Sequence, residues 1–216
     1  MVESFSSICI ATHDIGASTE EYRWLLGDPS VSTLPLSNVA IEIKEDQDAT
    51  SPRIDGLALF DPEGTPLPAD LRGLPITVVT ERHENYAENE TGICAVDHLV
   101  LRTADADDCI RLFGEQLGMR LALDQMVPEW GGRMLFFRHG KMTLEVIQHL
   151  DDPVEQDYFW GITYLCPDLQ RTVDALDKLE VAHSEIRDGR KPGTRVATVK
   201  SHTLGIPTLL IEPAAR

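Results

Sequence analysis

The sequence predicts an α+β fold built from repeated β-α-β-β-β modules, and two observations carry this prediction. The segment from Ala95 to Gln148 reads as one apolar strand, one amphipathic helix and three further strands, in that order. Residues 96–105 and 159–168 then agree in pattern without a gap, which indicates an internal repeat of about 60 residues.

The first copy of this repeat is the best defined. Val96–Thr103 has the apolar run of a strand, and the aspartates that follow it favour a helix N-terminus. Gly118 then stands where a helix would stop. The apolar face of this helix is formed by Ile110, Phe113 and Leu117, and the three later strand candidates are 120–127, 133–138 and 142–148.

The second copy follows the same order with weaker patterns. Phe159–Cys166 reads as a strand, and Asp168 is placed to open a helix with apolar residues at helical spacing. The remaining strand candidates are Val181–Arg187, Arg195–Lys200 and Pro207–Ile211.

The N-terminal part looks like a further, degenerate pair of modules. Ser7–Thr12 is a strand candidate, and Ser18-x-x-Glu21 has the spacing of a capping box at a helix start. The strand candidates that follow are Asn38–Lys44, Ile54–Phe60 and Ile76–Thr80, with a short helix expected at Ala69–Arg72. The unit that begins at Ile54 is too short for a full module. We therefore expect a truncated module pair over 1–80, a polar linker over 81–94 and a complete pair over 95–216.

Composition limits the classes of function. The net charge of −17 repels phosphate backbones, so we expect no nucleic-acid partner. No apolar run approaches the roughly 18 residues that a membrane span needs, and the N-terminus lacks the pattern of a secretory signal. The four cysteines are scattered without a C-x-x-C pair, which fits a reducing compartment. These features favour a cytoplasmic protein without a membrane partner.

A resemblance to a known family rests on the best-defined copy. Four segments of this copy resemble a glyoxalase-like module of the vicinal-oxygen-chelate superfamily. They are Val96–Thr103, the helix end Leu117–Met119, the hairpin segment Gly132–Arg138 and Leu144–Ile147. That superfamily includes glyoxalases, extradiol dioxygenases and bleomycin-resistance proteins. The resemblance implies four βαβββ-type modules paired into two half-barrels, the second N-terminal module being truncated, and a concave cup that holds a divalent metal.

The resemblance implies His98 and Glu145 as metal ligands for zinc, iron, manganese or nickel. A carboxylate inside the apolar run around Glu145 is costly to bury unless it is paired or binds a metal. The alternative is that His98 hydrogen-bonds locally and that Glu145 pairs with Arg102 or Arg133. The matching ligand positions of the second module carry Gly161 and Leu209, so a third ligand would have to come from Glu42, His202 or a partner subunit.

Two functions follow from the resemblance. The first is a metal-dependent lyase, isomerase or dioxygenase that acts on a small oxygenated substrate. The second is a metal-free protein of the bleomycin-resistance type that binds a small molecule in the cup. A homodimer is a candidate assembly, because related proteins often pair modules across a dimer. The residues that we expect to contact the ligand are Arg102, Trp130, Arg133, Phe137 and His202.

Overall fold

The protein contains thirteen strands and three helices in the residues that the computed structural model describes, which are 2–26, 33–82 and 89–215. The strands are β1 (Ser4–Thr12), β2 (Thr33–Pro35), β3 (Ala40–Glu45), β4 (Arg53–Phe60), β5 (Ile76–Val79), β6 (Ala95–Arg102), β7 (Arg120–Val127), β8 (Gly132–His139), β9 (Met142–His149), β10 (Tyr158–Leu165), β11 (Arg187–Asp188), β12 (Arg195–Val199) and β13 (Thr208–Glu212). The helices are α1 (Ile15–Leu26), α2 (Ala106–Cys109, continued as a π-helix over Ile110–Gln116) and α3 (Leu169–Lys178).

The C-terminal half forms one eight-stranded sheet in the order β11-β12-β13-β10-β6-β9-β8-β7. In each half of this sheet the first strand of a module lies parallel to its last strand, β6 beside β9 and β10 beside β13. The two first strands, β6 and β10, pair antiparallel at the centre. This arrangement confirms the two predicted βαβββ modules and joins them into one half-barrel.

The N-terminal half forms a five-stranded sheet in the order β2-β3-β1-β4-β5. Its centre repeats the C-terminal arrangement, because β1 is parallel to β3, β4 is parallel to β5, and β1 and β4 pair antiparallel. The module that begins with β4 contributes only two strands to this sheet. The prediction of a truncated second N-terminal module is therefore confirmed.

The two faces of the C-terminal sheet differ in what they bury. Side chains alternate across a strand, so Leu99 and Leu101 of β6 point one way and His98, Val100 and Arg102 point the other. The two leucines are fully buried and belong to the main hydrophobic core on the helix side. We call the opposite face the cup face. It carries His98, Val100, Arg102, Phe136, Glu145, Ile147, Thr163 and Leu209.

Two helix predictions for the N-terminal half were wrong. Helix α1 begins at Ile15, where Asp14 Oδ1 accepts a hydrogen bond from Ala17 N at 2.9 Å, so Ser18 lies inside the helix and is not its cap. Ser18 Oγ instead bonds Thr12 Oγ1 at 2.7 Å. The helix expected at Ala69–Arg72 is absent from this described segment, since Arg72 has a left-handed φ of 58° that ends any right-handed turn.

The strand expected at Val181–Arg187 is much shorter than predicted. Only β11 and an isolated bridge from His183 to Val199 pair with β12 in this region. Between them, the backbone N–H of Ser184 donates to the carbonyl oxygen of Thr198 and its hydroxyl accepts from Thr198 N, so a side chain replaces part of the strand ladder.

The two sheets are joined by polar contacts of the chain segments between and beside them. The side-chain amide of Asn38 donates to the carbonyl oxygen of Val96 at 2.7 Å and accepts from its N–H at 3.0 Å, as a neighbouring strand would. Residues 83–88 of the expected linker lie outside the described residues. Within the described part of the chain, no helix is long and apolar enough to cross a membrane.

Candidate ligand site on the cup face

His98 and Glu145 meet on the cup face. They lie on the parallel strands β6 and β9, where Val100 is the register partner of Glu145. His98 Nε2 lies 3.1 Å from Glu145 Oε2, and His98 Nδ1 lies 2.8 Å from Asp97 Oδ2. The contact between His98 and Asp97 depends on a β-bulge in β6. Asp97 is an extra residue that the pairing of β6 with β10 skips, and a bulge of this kind changes the direction in which a side chain points. Glu145 therefore pairs with His98, and not with Arg102 or Arg133.

Burial dominates the electrostatics of this pair. Glu145 is only 7% exposed, and this burial raises the pKa of its carboxyl above the ordinary value. The positive charge of His98 opposes the rise most, followed by that of Arg190 in the turn between β11 and β12, whereas Asp97 adds to it. The cup therefore contains a carboxylate whose charge is stabilised by an imidazole and, at longer range, by an arginine.

The residues of the cup do not fit a well-held metal ion. A zinc site needs at least three protein ligands, and the described residues contain no group of three or more His, Cys, Asp or Glu side chains that could hold one. At Gly161, a Cβ atom would lie 2.7 Å from the carbonyl oxygen of Pro207. The backbone of the loop before β13 therefore occupies the space that a metal-binding side chain at this position would need. Leu209 lies beside Thr163 on the cup face and has no donor atom.

The other proposed metal ligands lie elsewhere. Glu42 is on β3 of the N-terminal sheet, where Lys44 Nζ lies 2.9 Å from its carboxylate. His202 lies in the loop between β12 and β13, and its Nδ1 is 2.8 Å from Ser201 Oγ. That loop is fastened to helix α1 by a hydrogen bond from Leu204 N to Glu21 Oε1 at 2.9 Å. The segment that carries His202 is thus held to α1 through Leu204.

Arg102 is the predicted ligand contact that the structure does place on the cup face. It ends β6, and its Nη2 donates to the carbonyl oxygen and to Oδ2 of Asp152 at 3.1 and 3.2 Å. Trp130 lies in a single 3-10 turn over Pro128–Trp130, and its side chain is outside the described part of the structure.

Arg133 and Phe137, which were predicted as ligand contacts, point away from the cup, so the structure does not bring them to this site. Strand alternation places both on the helix side of β8. Phe137 is fully buried in the core, with its ring centroid 5.7 Å from that of Phe113. Arg133 donates to both carboxylate oxygens of Asp124 at 2.8 and 2.7 Å and to Asp107 of α2 at 2.7 Å.

Several cup residues were missed by sequence reasoning. Phe136 is the direct register partner of Glu145, and the alternation of β8 would have identified it once the hairpin register was fixed. Tyr158 is the partner of Arg102 on β10. Trp160 is the extra residue of a second bulge, between Phe159 and Gly161, which a simple period of two cannot locate.

Comparisons with known proteins agree with this architecture. Residues 97–198 match the family model described as the Glyoxalase/Bleomycin resistance protein/Dioxygenase superfamily. The structure of a mutant of 4-hydroxymandelate synthase from Streptomyces coelicolor covers 100% of this chain and 94% of its own, at 13% identity and a TM-score of 0.73. Methylmalonyl-CoA epimerase from Mycobacterium tuberculosis covers 57% of this chain and 91% of its own, at 20% identity and a TM-score of 0.49. No curated protein matches the sequence. The likeness to 4-hydroxymandelate synthase shows that the shared fold extends over both sheets.

Proposed function

We propose that this chain, whose residues 97–198 match the family model of the Glyoxalase/Bleomycin resistance protein/Dioxygenase superfamily, binds a small molecule on the cup face without a metal ion. One observation carries the proposal. The carbonyl oxygen of Pro207 stands where a side chain at Gly161 would have to be, so the second module cannot supply its usual ligand. The cup keeps an apolar surface with a few converging polar groups, which is the usual composition of a small-molecule site.

A metal-dependent lyase, isomerase or dioxygenase is the second candidate. It is favoured by the convergence of His98 and Glu145 at 3.1 Å, since these two residue types often bind the same ion. It needs a third ligand from a second subunit or from residues outside the described part of the chain. The first candidate needs no additional group, and we therefore prefer it.

The cellular setting and assembly are also proposals. A net charge of −17 supports a protein that binds neither nucleic acid nor an anionic membrane. The scattered cysteines support a location in the cytoplasm. The homodimer stays a prediction, and so does the linker over residues 81–94 between two domains.

Metal analysis and ligand binding together test the proposal. Protein purified without chelator should contain no stoichiometric zinc, iron, manganese or nickel. In a thermal-shift screen of small aromatic and oxygenated compounds, binders should raise the melting temperature, because a ligand that binds only the folded state stabilises it. The substitutions His98→Ala and Glu145→Gln should reduce the shift. Glu42→Gln is the matched control, because Glu42 lies on the corresponding strand of the N-terminal sheet, and it should leave the shift unchanged.

The alternative gives a different result. About one metal ion per chain in the unmodified protein, lost in His98→Ala but kept in Glu42→Gln, would overturn the metal-free proposal and favour the enzyme. A screen without any binder would also contradict it.

A further inference from the structure

Arg102 is a mostly buried guanidinium that the protein itself pairs only weakly. Its side chain is 13% exposed, and Asp152, its one carboxylate partner among the described residues, is 84% exposed, so solvent screens that ion pair. Arg102 Nε is buried without a hydrogen-bond partner among the described residues. Arg133, in contrast, makes three close hydrogen bonds to two carboxylates. A buried donor without a partner is costly, which indicates that Arg102 has capacity for another acceptor.

Two exposed aromatic side chains lie on β10, the strand that pairs with the Arg102 end of β6. Tyr158 is the direct partner of Arg102 on β10, and Trp160 follows two residues later at the bulge. Each of these rings is 42% exposed, whereas Phe159 between them is buried in the core. Large aromatic rings are rarely left in water together without a partner, and they offer flat surfaces on which another ring can stack.

Apolar side chains lie next to Arg102 on the cup face, and the His98–Glu145 pair follows them along β6 and β9. Ile147 of β9 is the register partner of Arg102, and Val100 lies between Arg102 and His98 on β6, beside Glu145 of β9. Arg102 and His98 are four residues apart, which corresponds to about 13 Å along a strand. A ligand that contacts both ends must therefore be elongated, with one polar group at each end.

From this arrangement, and resting on the proposed function, we propose that the cup binds an elongated aromatic carboxylate. Its carboxylate binds the Arg102 guanidinium, replacing the exposed side chain of Asp152. A guanidinium is suited to this role because its donors match both carboxylate oxygens. The aromatic body contacts Tyr158, Trp160 and the apolar strip at Val100. The far end carries a hydrogen-bonding group that faces His98 and Glu145.

Matched probes test this assignment on the unmodified protein. Hydroxybiphenyl carboxylate and hydroxybiphenyl carboxamide have the same shape and differ in charge. Isothermal titration should show about tenfold or more tighter binding of the carboxylate, the difference expected for charge-assisted hydrogen bonds. The comparison needs no substitution, so it holds even if a variant at Arg102 fails to fold.

Two variants with matched controls locate the binding site. Arg102→Gln should remove the preference for the carboxylate and leave the affinity for the carboxamide, while Arg120→Gln, on the exposed edge strand β7, should change neither. Trp160→Leu should weaken both probes, while Trp24→Leu, an exposed tryptophan on α1, should weaken neither.

The outcomes separate this inference from the proposed function. Equal affinity for the two probes, or failure of both while other compounds in the screen bind, would overturn the aromatic carboxylate and leave the binding protein standing. If no compound binds at all, both proposals fall.

Discussion

Gly161 lies against the carbonyl oxygen of Pro207 so closely that a Cβ atom would be 2.7 Å from it. The same relationship recurs in the N-terminal sheet, where a Cβ atom on Gly56 would lie 3.1 Å from the carbonyl oxygen of Pro75. In both places the next residue donates its N–H to that proline, Ile162 at 2.9 Å and Leu57 at 3.0 Å. The second module of each pair thus closes with the same backbone contact, at the position where the first C-terminal module has His98.

Substitution of Gly161 by histidine should therefore destabilise the protein without creating a metal site. We expect a loss of about 1–3 kcal/mol in the free energy of unfolding, because the new side chain must displace the Pro207 backbone. Urea denaturation measures the loss, and the visible absorption of added cobalt reports any new site. Gly114→Ala is the control, since its Cβ would lie an ordinary 3.6 Å from the Phe137 ring. Cobalt binding by a stable Gly161→His protein would contradict this prediction, because it would show that the loop before β13 can move away from residue 161.

Phe136 and Phe137 should respond differently to truncation. Phe137→Ala empties a fully buried core position beside Phe113 and should cost about 3–5 kcal/mol of stability. Phe136→Ala removes a half-buried ring from the cup face and should cost less, while weakening ligand binding on the native fold. Denaturation and calorimetry on the two variants give both quantities. Comparable losses of stability would mean that Phe136 is also a core residue.

The difference between these neighbours shows what the sequence could and could not predict. The strands of the best-defined module follow from apolar runs and turn residues, and β6 to β9 fall within one residue of their predicted ends. Which face a residue occupies depends on register. If β8 is aligned so that its cup-facing residues share a face with Glu145, side-chain alternation places Phe136, and not Phe137 or Arg133, in the cup.

Other features of the site depend on tertiary contacts that a local pattern does not contain. The bulges at Asp97 and Trp160 break the period of two, and both add a side chain to the cup region. The left-handed backbone of Arg72 replaces a predicted helix, because that side chain is held by the other half of the molecule. His98 and Glu145 were predicted from the family resemblance, whereas the Pro207 contact that excludes a third ligand required the structure.

Arg72 should be one of the strongest electrostatic contributions to stability. Its Nε donates to Asp157 Oδ2 at 2.6 Å, and it also pairs with Asp108 of α2, linking the N-terminal half to the C-terminal half. The side chain of Asp157 is 2% exposed, so Arg72→Met would leave a buried charge without its partner and should cost about 3–5 kcal/mol. Arg53→Met, which breaks exposed pairs with Asp46 and Asp55, should cost about 0–1 kcal/mol.

Denaturation curves of these two variants should differ clearly in midpoint. Equal midpoints would mean that the Arg72 pair is as well solvated as a surface pair. The double substitution Arg72→Met with Asp157→Leu removes both charges and should recover part of the loss, because no unpaired carboxylate is then buried.

His139 should make stability depend on pH. It ends β8, its ring lies edge-on to Phe5 of β1 with centroids 5.7 Å apart, and its Nε2 is buried without a partner among the described residues. Burial lowers the pKa of this imidazole below its ordinary value of 6.5, and a hydrogen bond with the backbone of Val2 opposes the shift only partly.

The sign of the pH effect follows from proton uptake. Below pH 6.5 the unfolded chain binds a proton at His139 that the folded protein resists, so the free energy of unfolding falls as the pH decreases through this range. His139→Asn keeps a donor for Val2 but does not titrate, and its unfolding free energy should fall less between pH 7 and pH 5. His13→Asn, at an exposed position, should retain the full pH dependence of the unmodified protein. Since both variants lose one histidine, a smaller slope in His139→Asn alone would assign the effect to burial between the two sheets.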